Sequence, residues 1–174
     1  HIPNQEVQKE FINCIEDGGW EPVMDAIRKS EELLAATIRG EEETVARMIE
    51  NAHQENTSIL AYNDENSLAC VIALAYYSAK KNYVVYREFA GGKGFADMVF
   101  VPRKTTQTPA IVVELKWNQT AEAAITQIKR KQYVESLKDY RGEVILVGIN
   151  YESKELKKDD YKKHSCKIER ITMA

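Results

Sequence analysis

The segment Ala110-Ile111-Val112-Val113-Glu114-Leu115-Lys116-Trp117 constrains the fold more than any other part of the chain. It follows Pro109, contains three consecutive β-branched residues and is apolar at both odd and even positions, as a strand covered on both faces must be. Such a strand needs packing layers above and below its sheet, which predicts an α/β architecture. The same run nevertheless carries Glu114 and Lys116, two residues apart and therefore on one face. Taking ionised groups out of water costs several kcal/mol each, so these charges need a counter-charge or a purpose.

The preceding strand supplies a partner. Phe95 to Val101 and Ala110 to Trp117 read as two strands of a hairpin, with Tyr83 to Phe89 before them and Gly91-Gly92-Lys93-Gly94 as the first tight turn. If the hairpin closes with Pro102 opposite Pro109, Asp97 falls opposite Glu114. Alternation then puts Asp97, Val99, Val101, Val112, Glu114 and Lys116 on one side, and Ala96, Met98, Phe100, Ile111, Val113 and Leu115 on the other. Facing carboxylates repel, and a positive charge must stand between them. Lys116 is one such charge. A hard divalent cation, Mg2+ or Mn2+, is the other, since it accepts one or two carboxylates together with water and phosphate oxygens.

A helix capped by Asn63 or Asp64 is expected to run to about Lys80, with Glu65 on its inward stripe of Leu68, Ile72, Ala75 and Tyr76. Thr120 caps a further helix expected to reach about Tyr140, Glu143 to Ile149 reads as a buried strand, and Ser165 to Ile171 as an edge strand. The order helix, three-stranded meander, helix, strand predicts a mixed central sheet. Upstream, Val7, Phe11, Ile12 and Ile15, then Val23, Ala26 and Ile27, then Leu33, Leu34, Thr37 and Ile38, then Val45, Met48, Ile49 and Ala52 predict a bundle of three or four short amphipathic helices. The Glu41-Glu42-Glu43 run reads as a first helical turn favoured by the helix dipole.

Asp97, followed on the next strand by Glu114-Leu115-Lys116, resembles the PD-(D/E)xK nuclease superfamily over about residues 62–171. More narrowly, Gly92-Lys93-Gly94-Phe95-Ala96-Asp97, Ile111 to Lys116 and Gln127-Ile128 look like the nuclease-like domain that ends bacterial AAA-ATPase-like proteins. Ile2-Pro3-Asn4-Gln5-Glu6-Val7 with Phe11 is similar to the segment that follows their ATPase part. The resemblance implies a restriction-endonuclease-like core over residues 61–174, an N-terminal helical segment over 1–60 leading from an absent ATPase part, and metal-dependent hydrolysis of DNA or RNA. It implies Asp97, Glu114 and Glu65 as metal ligands, Lys116 as the catalytic lysine and Gln127 as an accessory group. Lys131, four residues after Gln127 on one helix face, with Arg130, Lys93 and Trp117, are the candidate nucleic-acid contacts, against a solvated polar face for the charges and a half-buried strand-end aromatic for Trp117. Ala96 replaces the proline of the nominal motif, and Phe95 stands where many relatives carry Arg, a departure that fits the alternative of a catalytically silent domain binding nucleic acid or a protein.

Charge follows the same division. Residues 1–66 hold 5 Lys/Arg against 15 Asp/Glu, a net of −10, and residues 67–174 hold 19 against 12, a net of +7. The C-terminal part suits a polyanion, and the acidic helices suit the absent ATPase part or a second copy in a homodimer. The tripeptide Glu-x-Lys alone means little, because it recurs at Glu152-Ser153-Lys154 and Glu155-Leu156-Lys157 in hydrophilic surroundings. Cys14, Cys70 and Cys166 stand far apart and His1, His53 and His164 form no ligand spacing, which argues against a disulfide scaffold or a zinc site and for a reducing cytoplasm. No membrane span is expected. A start at His1-Ile2-Pro3 without Met predicts that the chain is part of a longer protein.

Overall fold

The computed structural model describes residues 21–56, 65–91, 94–103, 108–130, 137, 140–152 and 164–173; for residues 21–22, 56, 65–68, 70, 88–91 and 94–96 it describes the backbone alone. Three helices come first, α1 (Glu21–Arg39), α2 (Glu42–Asn56) and α3 (Glu65–Ala75), and a 3-10 turn (Tyr77–Lys81) leads into the sheet. Then follow β1 (Tyr83–Gly91), β2 (Gly94–Pro102), β3 (Ala110–Trp117), α4 (Ala121–Arg130), β4 (Gly142–Tyr151) and β5 (His164–Met173). The sheet order is β1-β2-β3-β4-β5. It is mixed: β3 and β4 run parallel with α4 as the crossover between them, and every other pairing is antiparallel. This is the α/β arrangement expected, and it is consistent with a restriction-endonuclease-like fold.

The expected register holds. Met98 faces Val113, Val99 faces Val112 and Phe100 faces Ile111, the series that closes on Pro102 and Pro109. The faces follow. Met98, Phe100, Ile111, Val113 and Leu115 pack with Ile145, Val147 and Ile149 against Leu33, Val45, Ile49 and Ile72, so α1, α2 and α3 cover one side. Val99, Val112, Val144 and Leu146 pack with Ile125, Ile128 and Leu137, so α4 covers the other. Helices of the acidic segment and the sheet thus share one apolar core.

Two expected helices are one. No breaker separates Val23 from Leu33, and α1 runs unbroken over 19 residues. Its first turns reach past the core: Met24 is 59% and Ile27 36% exposed, so that part of the apolar pattern is not a buried stripe. Gly40 ends α1 in the left-handed region, φ 79°, which suits a residue without Cβ. Its amide donates to Thr37 O at 3.1 Å and the Glu41 amide to Ala36 O at 3.0 Å, satisfying carbonyls that the helix end leaves open. The long helix expected to reach Lys80 stops at Ala75 and tightens into the 3-10 turn, where the buried Tyr76 hydroxyl meets Thr37 Oγ1 at 2.6 Å. The helices expected before residue 21 and the segment 153–163 lie outside the described residues.

The acidic run at the start of α2 is not all solvated. Glu42 Oε1 accepts the Ile168 amide at 2.9 Å and lies 3.1 Å from Lys167 Nζ. A backbone donor on the outer edge of β5, of the kind another strand would pair with, is thereby taken by a side chain of the same fold. Arg170 repeats the tie lower down, reaching Glu143 at 2.8 Å and the carbonyl of Ile38. No helix among the described residues is long and apolar enough to cross a membrane.

Candidate active site

The β2–β3 ladder has three pairs and ends at Met98–Val113. The next residues in that register are Asp97 and Glu114. Beyond them β3 continues beside β4 alone, with Glu114 opposite Gly148, Lys116 opposite Asn150 and Trp117 opposite Tyr151. Where β2 no longer supplies a carbonyl, a side chain does: Asp97 Oδ2 accepts the Leu115 amide at 2.6 Å. Asp97 therefore joins the two strands at the point where they separate.

Glu114 and Lys116 stand on the same face as Asp97, the face covered by α4. Glu114 is 2% and Lys116 7% exposed. Lys116 Nζ donates to Glu114 Oε1 at 3.3 Å. An optimised charge-assisted bond is shorter, about 2.7–2.9 Å. A buried pair at the longer distance recovers less of its desolvation cost, and so it is poorly explained as a device for stability.

Two further residues of β4 build this site, and sequence reasoning passed over both. Gly148 lets α4 approach: a Cβ there would stand 2.3 Å from Ala121 O and 2.9 Å from Ala124 Cβ. Asn150 is 4% exposed beside Lys116, and its Oδ1 accepts the Gln119 amide at 3.0 Å. With the Asn118 amide on Tyr151 O at 2.8 Å and Thr120 Oγ1 accepting the Ala123 amide at 3.0 Å, it fastens the turn that follows Lys116. Asn118 adopts φ 54°, a conformation that Asn tolerates better than most residues. The signal for Asn150 was legible, an amide closing the apolar run Val144 to Ile149; Gly148 needed the helix above it.

Of the remaining expected residues, the structure describes the side chains of Gln127, Arg130 and Trp117. Gln127 is half-buried on α4. Arg130 is exposed in the last turn of the same helix. Trp117 points to the opposite face from Lys116, into the core under α1–α3, with its ring 4.4 Å from that of Tyr151. Glu65 is the first residue of α3, a helix that packs on the face opposite Asp97, and its side chain lies outside the described residues. Lys93 and Lys131 lie outside them as well.

The donors at Asp97 and Glu114 are hard carboxylate oxygens, without thiolate or imidazole beside them in the described structure. Among the described residues no group of three or more His, Cys, Asp or Glu is placed to hold a metal ion. Two carboxylates suit an ion of the Mg2+ type, which keeps several waters, and do not suit a closed zinc site. Cysteine chemistry has no support at Cys166, whose thiol is pushed up to about 12 by burial and by the nearby Glu42 carboxylate, against a smaller opposing pull from Lys167.

No curated protein matches the chain. The family model of the PD-(D/E)XK nuclease superfamily does match it, over residues 63–161, from the start of α3 past the end of β4. That stretch is more than half of the chain and holds Asp97, Glu114 and Lys116, and the protein belongs to the PD-(D/E)XK nuclease superfamily.

Proposed function

We propose that this domain hydrolyses phosphodiester bonds of nucleic acid with the help of a divalent cation. The observation that carries the reading is the meeting of Asp97, Glu114 and Lys116 on one face where β2 and β3 part. Proteins of this superfamily are usually nucleases and generally use divalent metal ions. In this reading Asp97 and Glu114 hold the ion, and Glu65 enters as a third carboxylate on the resemblance alone. Such an ion polarises a phosphodiester and favours deprotonation of water.

The chain's own residues supply the rest. Lys116 orients the attacking water and offsets negative charge that grows on the scissile phosphate. Glu114, 3.3 Å away, keeps that ammonium in place. Gln127 on α4 serves as an accessory polar group, and Arg130, Lys131 and Lys93 contact flanking phosphates. Trp117, engaged with Tyr151 on the other face, is left out of the interface. The resemblance of Ile2 to Phe11 supports a nuclease domain carried by an ATPase-like protein, with the ATPase part as its partner.

The test is incubation of the chain with single- and double-stranded DNA and RNA in Mg2+, Mn2+ or EDTA. Cleavage with either metal and none in EDTA is expected. Calorimetry should show weak Mn2+ binding that the Asp97→Asn, Glu114→Gln double substitution abolishes, because few protein ligands hold the ion. Equal binding by both proteins would refute the metal assignment, and metal binding without cleavage of any substrate would favour a silent nucleic-acid-binding domain.

A further inference from the structure

The sheet face that carries Asp97, Glu114 and Lys116 is covered unevenly. α4 packs on β3, β4 and β5. β1, an outer strand, forms the other margin of the face, and there the cover thins. Val99 of β2 is buried, Val84 and Val101 are half-buried, and Tyr86 is 44% exposed. Register fixes where that ring stands. Tyr86 pairs with Val99, and directly opposed residues of an antiparallel ladder share a face. Asp97 lies two residues along β2 from Val99, on the same face, and is therefore a diagonal neighbour of Tyr86. Such neighbours are about 7–8 Å apart, within reach of an aromatic side chain. Among the residues of this face on β1 to β4 whose side chains are described, Tyr86 is the one aromatic.

We propose that Tyr86 is a stacking platform for a nucleobase beside the scissile phosphate, and that the site therefore takes single-stranded rather than fully paired nucleic acid, an inference that rests on the hydrolytic reading above and adds the form of the substrate to it.

A phosphodiester drawn to Asp97, Glu114 and Lys116 brings its neighbouring bases with it. Toward β4 the room is taken, because α4 lies so close to Gly148 that a Cβ there would meet Ala121 O at 2.3 Å and Ala124 Cβ at 2.9 Å. Toward β1 an exposed aromatic ring is at hand. Stacking asks for the face of that ring, whatever its hydroxyl is bonded to, and any of the bases can supply the opposing face. The contact is thus tolerant of sequence, as a platform beside a hydrolytic centre needs to be if the enzyme is to cut at many positions.

The ring discriminates between forms of nucleic acid where charge does not. Residues 67–174, with a net charge of +7, attract the phosphates of a single strand and of a duplex alike. An internal base of a duplex has both faces covered by its neighbours in the stack and its edge by its partner, and bringing it onto a side chain costs unpairing and unstacking. The bases of a single strand are splayed onto aromatic side chains without breaking pairs. A single strand therefore gains the contact with Tyr86 at lower cost than a duplex.

The experiment is fluorescence anisotropy in EDTA, where no cleavage intervenes, with three labelled probes of equal length: a DNA single strand, the same backbone made of abasic nucleotides, and a blunt duplex. Tyr86→Ala and Tyr86→Leu are expected to bind the single strand about tenfold more weakly than the wild type, and Tyr86→Phe, which keeps the ring, to bind it within about threefold. All four proteins should bind the abasic strand alike and the duplex alike, since those contacts are to phosphates. Unchanged single-strand affinity in Tyr86→Ala, an equal loss on the abasic strand, a failure of Tyr86→Phe to retain binding, or a wild type that binds no single strand would each overturn the platform. Cleavage is scored separately in Mn2+ with the wild type. No cleavage of any substrate alongside the expected binding pattern would remove the hydrolytic reading and keep the platform, whereas cleavage of duplex in preference to single strands would keep hydrolysis and overturn the platform.

Discussion

Lys116→Ala is expected to lose phosphodiester hydrolysis by about a hundredfold or more, since a preorganised charge at a reaction centre is typically worth a few kcal/mol. Nucleic-acid affinity should change little, as one phosphate contact among several is modest. The substitution also takes from Glu114, 2% exposed, the ammonium 3.3 Å away. Removing one partner of a buried pair costs about 3–5 kcal/mol, so the variant should melt earlier in EDTA. On the proposed function a divalent ion at Asp97 and Glu114 would compensate that charge, and Mn2+ should therefore raise the melting temperature of Lys116→Ala more than that of the wild type. Melting and cleavage measured on the same preparation separate the two roles of the lysine. A stability loss that no metal restores, with no wild-type cleavage, would leave Lys116 as a structural counter-charge only.

Gly148→Ala should destabilise the fold by about 3 kcal/mol, because the added methyl meets a helix backbone that has no slack. The clashing atom is Ala121 O, 2.3 Å from the new Cβ, with Ala124 Cβ at 2.9 Å and Ile125 Cγ1 at 3.2 Å behind it. None of these is the end of a flexible side chain, so α4 must lift from β4 as a unit. For a chain of this size that loss lowers the melting temperature by roughly 9 °C. Thermal unfolding checks it, and a fall under about 1 kcal/mol would mean that α4 slides aside freely.

The strand register was readable because prolines bracket the β2–β3 connection and side chains alternate strictly; one slip would have exchanged the two faces of β2 and β3. Asp97, Glu114 and Lys116 were readable for the same reason, as charges inside apolar strands. What was not readable depends on contacts distant in sequence. No local pattern marks the meeting of His53 with His164, or of Glu42 with the Ile168 amide. The helix ends were misjudged where tertiary packing sets them, as at Ala75, where the chain tightens to bring Tyr76 onto Thr37. The exposed first turns of α1 show that helical spacing of apolar residues records amphipathicity, and burial only where another element arrives.

The short β2–β3 seam divides the sheet mechanically. β1 and β2 share eight paired positions, β3 and β4 eight, and β4 and β5 ten, while β2 and β3 share three. Asp97 rides on one plate, and Glu114 and Lys116 ride on the other with Asn150 and α4. Past the seam the carboxylate of Asp97 ties the two plates by accepting the Leu115 amide. The gap across the site is thus bordered by the shortest ladder of the sheet. Whatever bridges Asp97 to Glu114 acts as a strut across that gap, stiffening the sheet while it sets the spacing of the site.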